Sequence, residues 1–365
     1  MPRNLKKLTV QIVAGANIAT IVLMLLVGYS DRVDPVDHPV IANFGLTFPF
    51  FLFANAAFLV FWAFFSVRRT IIPLVGFVLC YGPARVYCPL NISRTAPDST
   101  VKVMSYNVWM FASGHDPDGP AQITSYILRE NPDILCMEEC GVGEPHRSYV
   151  STTLGRVYQY SDTSVMGPGF QDEIDIYTKY PILKKERIPY RSSKNHSVAF
   201  YLKMGRDTVV VVANHFESTG LSPEEKQRFK TMMKGELGGG EVKRESKRLI
   251  DKLAEASRTR APQAEAVAGY VRRCKERGLS VILCGDFNDC PISYVRRTVA
   301  RELNDCYVES ATGPGISYHY NAFYVRIDNI MCSDDWVPYE CKVDDSIKTS
   351  DHYPIVCKLK KRDNP

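Results

Sequence analysis

Val281-Ile282-Leu283-Cys284-Gly285-Asp286-Phe287-Asn288 is an apolar run that ends on a carboxylate and a carboxamide. A short apolar run closed by glycine reads as a buried strand, so Asp286 and Asn288 stand where a strand leaves the core. Outward along the chain the pattern repeats. Val101-Lys102-Val103-Met104-Ser105-Tyr106-Asn107 alternates as a strand does and ends on Asn107. Ile134-Leu135-Cys136-Met137 delivers Glu138 and Glu139, after a helix over about 120–130 that Asn131-Pro132-Asp133 breaks. The strand at 209–213 runs into Asn214-His215-Phe216-Glu217, and 174–177 and 198–202 are further strands. Arg326-Ile327-Asp328 and Ser350-Asp351-His352-Tyr353-Pro354-Ile355 complete the series.

Each of these residues has a bland reading when taken alone. Asn107 caps a turn, and a lone histidine such as His215 is more often structural. Together they place oxygen donors and imidazoles at strand ends, the set that phosphate-ester hydrolysis with a hard cation needs. In this order they resemble the endonuclease/exonuclease/phosphatase superfamily, the DNase I-like metal-dependent phosphoesterases, over about 101–359.

The resemblance implies an α+β fold, a four-layer α/β/β/α sandwich, with the site where strand ends of both sheets meet. It implies Glu139 as a metal ligand, Asn107 as the carboxamide that helps hold metal and phosphate, and Asp351 as a metal-side carboxylate. His215 would contact the scissile phosphate. Asp286 and Asn288 would orient the attacking water and steady the oxyanion. His352 would be the catalytic imidazole, with Asp328 accepting its other ring N–H. Where the family commonly carries Gln-Glu, this chain has Glu138-Glu139, and Glu138 is expected to be an exposed polar residue. The implied cofactor is Mg²⁺ or Mn²⁺, with Ca²⁺ able to occupy the site without supporting turnover. No covalent phosphoenzyme is expected, because the nearby Cys and Ser residues have no triad partners.

With 365 residues, 45% of them hydrophobic, the chain can build one large core and something more. The surplus is N-terminal. Residues 8–30 and 39–67 are apolar and each long enough to cross a hydrocarbon core of about 30 Å. A cleaved signal peptide would be shorter and single. Residues 71–90 form a third candidate, interrupted by Gly82, Pro83 and Arg85; an arginine near the end of a span can snorkel. The expected division is a transmembrane region over 1–90 (helices at about 8–30, 40–67 and 71–90), a linker over 91–100 and a catalytic domain over 101–360. Arg3, Lys6 and Lys7 precede the first span and Arg68 and Arg69 follow the second, whereas Asp31, Asp34 and Asp37 lie between them. The positive-inside rule puts the N-terminus and Arg68-Arg69 in the cytoplasm. Three spans, expected because 71–80 otherwise has no burial partner, place the catalytic domain outside; two would leave it in the cytoplasm.

The 11 cysteines show no zinc spacing. Cys136, Cys284 and Cys357 lie in apolar strands, where cysteine acts as a small hydrophobe; this favours a reducing compartment and opposes the outward topology. Residues 226–277 hold 15 Lys and Arg against 7 Asp and Glu, in a chain whose net charge is only +5. They are read as a basic helical insertion, with helices over 242–258 and 262–277 after the Gly238-Gly239-Gly240 turn. A solvated helix pair is the bland reading; a docking face for lipid headgroups or nucleic acid is the functional one. The substrate class is a phosphate ester: a lipid headgroup, a nucleotide or a nucleic acid. A phosphodiesterase or phosphatase is expected first, a membrane-anchored nuclease second, and a non-catalytic scaffold last, since none of the eight site residues is missing. No obligate protein partner is implied.

Overall fold

The computed structural model describes residues 3–167 and 172–362. Its N-terminal apolar runs are helices: α1 (Arg3–Gly28), a single turn α2 (Pro39–Ala42), and α3 (Phe48–Phe65), whose 18 residues reach roughly 27 Å. Lys7–Arg32 and Pro39–Phe65 are each long and apolar enough to cross a membrane. The third segment is bent. It consists of α4 (Ile71–Leu79) and α5 (Tyr81–Tyr87), and Val67–Leu79 with Tyr81–Tyr87 passes the same test only as a pair turned by 70°.

Pro83 accounts for the bend. In a continuous helix its missing N–H would have met the Leu79 carbonyl, and here that carbonyl accepts from the Tyr29 hydroxyl at 2.9 Å. A buried polar network ties the three segments together. Asn17 Nδ2 donates to Asn55 Oδ1 (3.2 Å), Asn55 Nδ2 to the Pro73 carbonyl (3.0 Å) and Trp62 Nε1 to Asn17 Oδ1 (3.2 Å). Gly76 packs against Ile21 so closely that a Cβ would lie 2.7 Å from its side chain. This apolar run therefore does find a burial partner, in α1.

The strands that follow build two mixed sheets. The first begins with β1 (Val101–Asn107), β2 (Ile134–Glu138), β3 (Tyr160–Val165) and β4 (Glu173–Thr178). The second takes β5 (Ile182–Ile188), β6 (Ser197–Met204), β7 (Asp207–His215), β8 (Ser280–Asp286), β9 (Asn304–Asp305) and β10 (Asp328–Cys332). The chain then returns to the first with β11 (Trp336–Val343) and β12 (Ile355–Lys361), giving the orders β11-β12-β1-β2-β4-β3 and β5-β6-β7-β8-β10-β9. Val103, Cys136, Phe200, Val211, Cys284 and Ile330 pack between the sheets. On the outer face of the first sheet, Met104, Leu135 and Met137 meet α6 (Gly119–Glu130) and α7 (His146–Gly155) through Ile123, Ile127 and Leu154. The four layers are those of a DNase I-like sandwich.

The outer face of the second sheet is covered chiefly by the segment read as basic. α8 (Pro223–Met233), opened by a Ser222–Glu225 capping box, precedes α9 (Gly239–Glu276). The two helices expected over 242–258 and 262–277 are one helix of 38 residues with Pro262 inside it. Interior proline costs about 3 kcal/mol, and tertiary contacts offset it. Ala264, Val267 and Val271 are buried against Val210, Val212 and Leu283. One turn before them, the buried Arg260 guanidinium binds Asp289 Oδ2 (3.3 Å) and the Glu217 carbonyl (3.1 Å).

A short helix, α10 (Tyr294–Val299), completes this side, while α11 (Cys306–Ser310) packs on the inter-sheet core through Cys306 and Tyr307. Here the N-terminal bundle docks. Met24, Val27 and Phe48 share a buried cluster with Cys290 and Ile292, and Arg326 donates to the carbonyls of Val86 and Tyr87.

Candidate active site

Period-two alternation assembles the site. Val101 and Val103 of β1 face the second sheet, and Asn107 shares their parity; in β2 the order is Ile134, Cys136, Glu138. In β7 it is Val209, Val211, Ala213, His215; in β8, Ile282, Cys284, Asp286; in β10, counted backwards, Cys332, Ile330, Asp328. Register sets these ends level, with Asn107 opposite Glu138, His215 opposite Asp286, and Asp286 opposite Asp328. The polar groups are the last rung of the inter-sheet core. Gly285 makes the approach of β8 to β7 possible: its φ is +136°, and a Cβ there would lie 1.8 Å from the Asn214 carbonyl oxygen.

Asp286 is central. Its Oδ2 accepts from Asn107 Nδ2 at 3.3 Å and lies 3.8 Å from Nε2 of both His215 and His352. Asn107 Nδ2 also donates to Glu139 Oε1 (3.2 Å), and its Oδ1 accepts from the Trp109 N–H. Glu139 has left the strand with φ +56°, and a third of its side chain remains exposed. His352 Nδ1 stands 2.9 Å from Asp328 Oδ2, and His215 Nδ1 stands 2.7 Å from Asp172 Oδ1. The Asn288 N–H donates to Asp286 Oδ1 (2.7 Å) while its Nδ2 donates to the Phe216 carbonyl (2.9 Å). Asp351 is buried beside His352.

Burial alone would lower both imidazoles. Asp328, Asp286 and Asp351 outweigh it for His352, and Asp172, Asp286 and Glu139 outweigh it for His215, raising each to about 10. The carboxylates around them thus favour the protonated form of both rings. Burial, and then the nearby Asp328, pushes the Asp286 carboxyl up to about 6. Burial also favours the neutral form of Asp172, but the two histidines beside it prevail and hold it at about 2.

Residues 104–352 match the model of the Endonuclease/Exonuclease/phosphatase family. The chain belongs to the endonuclease/exonuclease/phosphatase family. It is accordingly a phosphoric ester hydrolase of a divalent-metal-dependent class. Residues 10–87 match a second family described only as a domain of unknown function. Among solved structures, D. rerio TDP2 complexed with single strand DNA product is 16% identical, covers 72% of this chain and 100% of its own, and superposes with a TM-score of 0.52. The human Nocturnin catalytic domain with bound sulfate anion is 16% identical, covers 72% of this chain and 93% of its own, with a TM-score of 0.51. At these identities the likeness is one of fold. A comparison with curated proteins returns no match.

In this endonuclease/exonuclease/phosphatase chain, Glu138 is not the exposed residue expected. It is fully buried; Ser105 Oγ donates to its Oε1 at 3.2 Å, and its Oε2 has no hydrogen-bond partner among the described residues. Strand parity explains the error, because Glu138 continues the inward series Ile134, Cys136. Burial, with Cys284, Asp328 and Asp286 nearby, pushes its carboxyl well above the usual range. Burial thus favours the neutral form of Glu138, which is close in shape to the glutamine that the family resemblance implies at this position.

The donor set fits a hard divalent cation. Asp286, Asp328 and His352 offer atoms within 4.8 Å of one another, although Asp328 and His352 already satisfy each other. Glu139, Asp351, Asp286 and Asn107 add oxygen donors; burial first, and then Asp328 beside Asp286 and Glu139 beside Asp351, raise these two carboxyls, and a bound cation would favour their ionised forms.

Several residues here escaped the sequence reading. Asp172 bridges His215 and His196, the latter also 3.0 Å from Ser164 Oγ; it precedes β4 rather than ending a strand, so nothing marked it. Asn195 touches His215 Nε2 at 2.8 Å. The Tyr318 ring lies 4.9 Å from that of His352, and Lys226 sits 5.3 Å and 5.6 Å from the rings of Tyr318 and Tyr320. The Tyr318-His319-Tyr320 run was the available signal.

Proposed function

We propose that the chain hydrolyses a phosphodiester or phosphomonoester by in-line attack of an activated water, at a site held near a membrane by the N-terminal helices. The observation that carries this reading is Asp286 Oδ2, one carboxylate oxygen 3.8 Å from the Nε2 atoms of two imidazoles. Glu139, Asp351 and Asn107 would hold Mg²⁺ or Mn²⁺, and the bound ion supplies positive charge against the phosphate. Asp286, poised near neutrality, takes the proton of the attacking water at Oδ2. His215 and His352 donate through Nε2 to phosphoryl oxygens as charge develops on them. Asp172 and Asp328 hold the two rings in orientation, and Asn288 positions Asp286 through its backbone N–H.

The docked bundle supports three spans. The 29–47 loop packs on the catalytic layers, with Gly45 so close that a Cβ would lie 2.0 Å from the Ile292 carbonyl oxygen. Arg68 and Arg69 lie between the second and third apolar segments, at the far end of α3. On the positive-inside rule the catalytic domain is extracytoplasmic.

A nuclease is the second reading. Trp109 stacks on His115 at 4.1 Å and meets Tyr320 at 5.6 Å near the mouth, a platform suited to a nucleobase. The full chain in nanodiscs, offered bis-p-nitrophenyl phosphate, p-nitrophenyl phosphate, plasmid DNA and phospholipid with Mg²⁺, Mn²⁺ or EDTA, separates the readings. No turnover of any of them with either metal would overturn both.

A further inference from the structure

The loop joining α1 to α3 meets one face of α9. Ser257 Oγ donates to Asn43 Oδ1 at 3.1 Å, and Asn43 Nδ2 to the Leu253 carbonyl at 3.4 Å. Asn43 lies just before Phe48, where α3 begins. This part of α9 is therefore held at the level where the chain enters an apolar phase.

Counting back from Ser257 by helical period gives Ala254, Ile250, Lys247 and Lys243, all on one stripe. Ser257 and Ala254 are buried, whereas Ile250, Lys247 and Lys243 are exposed, Ile250 to 47%. The stripe covered by the interfacial loop thus continues outward as an uncovered run of one apolar and two cationic residues.

The opposite face of this half of α9 is taken by α8. Glu225 pairs with Arg248 (2.8 Å) and Lys252 (2.5 Å), Arg228 with Glu245 (3.0 Å), and Phe229, Met232 and Leu249 line the seam. Lys243 and Lys247 are left without an acidic partner among the described residues, as are Lys230 and Lys234 at the end of α8, where Met233 is 63% exposed.

We propose that the α8–α9 hairpin is a second membrane contact, its Lys243–Lys247–Ile250 stripe lying on the anionic headgroups of the membrane that α1 and α3 enter. Long lysine stems reach lipid phosphates while Ile250 enters the headgroup boundary. Continuity with the loop at Asn43 and charge complementarity both select a lipid surface. The contact has a consequence for the site. Phe229 of α8 stacks on Phe323 at 4.2 Å and Lys226 stands over Tyr318, so the docked hairpin is tied to residues beside the site. The inference rests on the membrane anchoring proposed above and not on the catalytic reading.

Hydrogen exchange of the full chain in nanodiscs tests it without recourse to turnover. Nanodiscs of phosphatidylcholine alone are compared with nanodiscs containing phosphatidylglycerol. Amides over 239–253 should exchange at least about tenfold more slowly on the anionic lipid, and high salt should abolish the difference. Amides of α1 and α3 should be protected equally in both; their failure to be protected would instead strike at membrane anchoring. The variant Lys243→Glu/Lys247→Glu should lose the lipid-dependent protection, and Ile250→Asp should weaken it while leaving both lysines in place. Equal exchange of the hairpin on the two lipids overturns the proposal. So does stronger protection by duplex DNA than by anionic lipid, which would assign the surface to nucleic acid.

Discussion

His215 and His352 aim their Nε2 atoms at one oxygen, Oδ2 of Asp286, each from 3.8 Å. Each ring is backed at Nδ1 by its own buried carboxylate, Asp172 for His215 and Asp328 for His352. The two pairs come from opposite halves of the 104–352 segment, yet they form a nearly symmetric clamp. Replacing His352 by Ala should lower kcat on bis-p-nitrophenyl phosphate by about 10³-fold or more, and Asp328→Asn by somewhat less, because the ring remains but loses its orientation. Retained kcat in Asp328→Asn would show that the pair is only structural.

Glu139 is the most open of the site carboxylates. Glu139→Gln keeps the shape and removes the charge, so the concentration of Mg²⁺ giving half-maximal activity should rise by about 10- to 100-fold. Titrating metal against initial rate checks this. An unchanged midpoint would move the cation toward the Asp286, Asp328 and His352 cluster.

Glu138 is buried and its surroundings favour the neutral form, so Glu138→Gln should preserve activity and should not lower stability. The sign of its pH dependence is fixed by linkage. A carboxyl whose folded pKa is raised destabilises the fold progressively as pH climbs above its unfolded value of about 4.3. The melting temperature of Glu138→Gln should therefore gain on the wild type from pH 5 upward, read by calorimetry at several pH values.

The His215–Asp172 pair predicts a loss of stability of the same sign over a higher pH window. An imidazole raised to about 10 contributes stability that is complete below the unfolded value of about 6.5 and is lost as pH rises toward 10. In EDTA, Asp172→Asn should melt below the wild type by the widest margin near pH 6, and the two curves should converge toward pH 10. Parallel curves would mean that His215 is neutral throughout.

In the bundle, Asn55 accepts from Asn17 and donates to Pro73. Asn55→Leu should cost about 1 kcal/mol in detergent unfolding, through the loosened third segment. It should leave the kcat of the folded enzyme unaltered, because the network lies far from the carboxylates.

Much of this protein is legible in its strand-end motifs. Asn107, Glu139, His215, Asp286, Asp328 and His352 could be picked out because local pattern and local chemistry coincide there, an apolar run closing on a donor. The apolar helices were equally plain, since twenty apolar residues have few other fates in water. Where tertiary contacts outvote local preference, the sequence misled or stayed silent. Pro262 marked a helix break, but α9 runs through it because its buried face on the second sheet offsets the proline. Glu138 passed for a surface residue, and only the packing of two sheets shows that its parity points inward. Asp172 belongs to no motif; it matters because folding carries its loop to His215, 43 residues away in sequence. Period and polarity are local properties and survive in the linear chain. Which rung lies opposite which, and which loop comes to rest on which ring, depends on distant segments meeting, and only the folded molecule decides it.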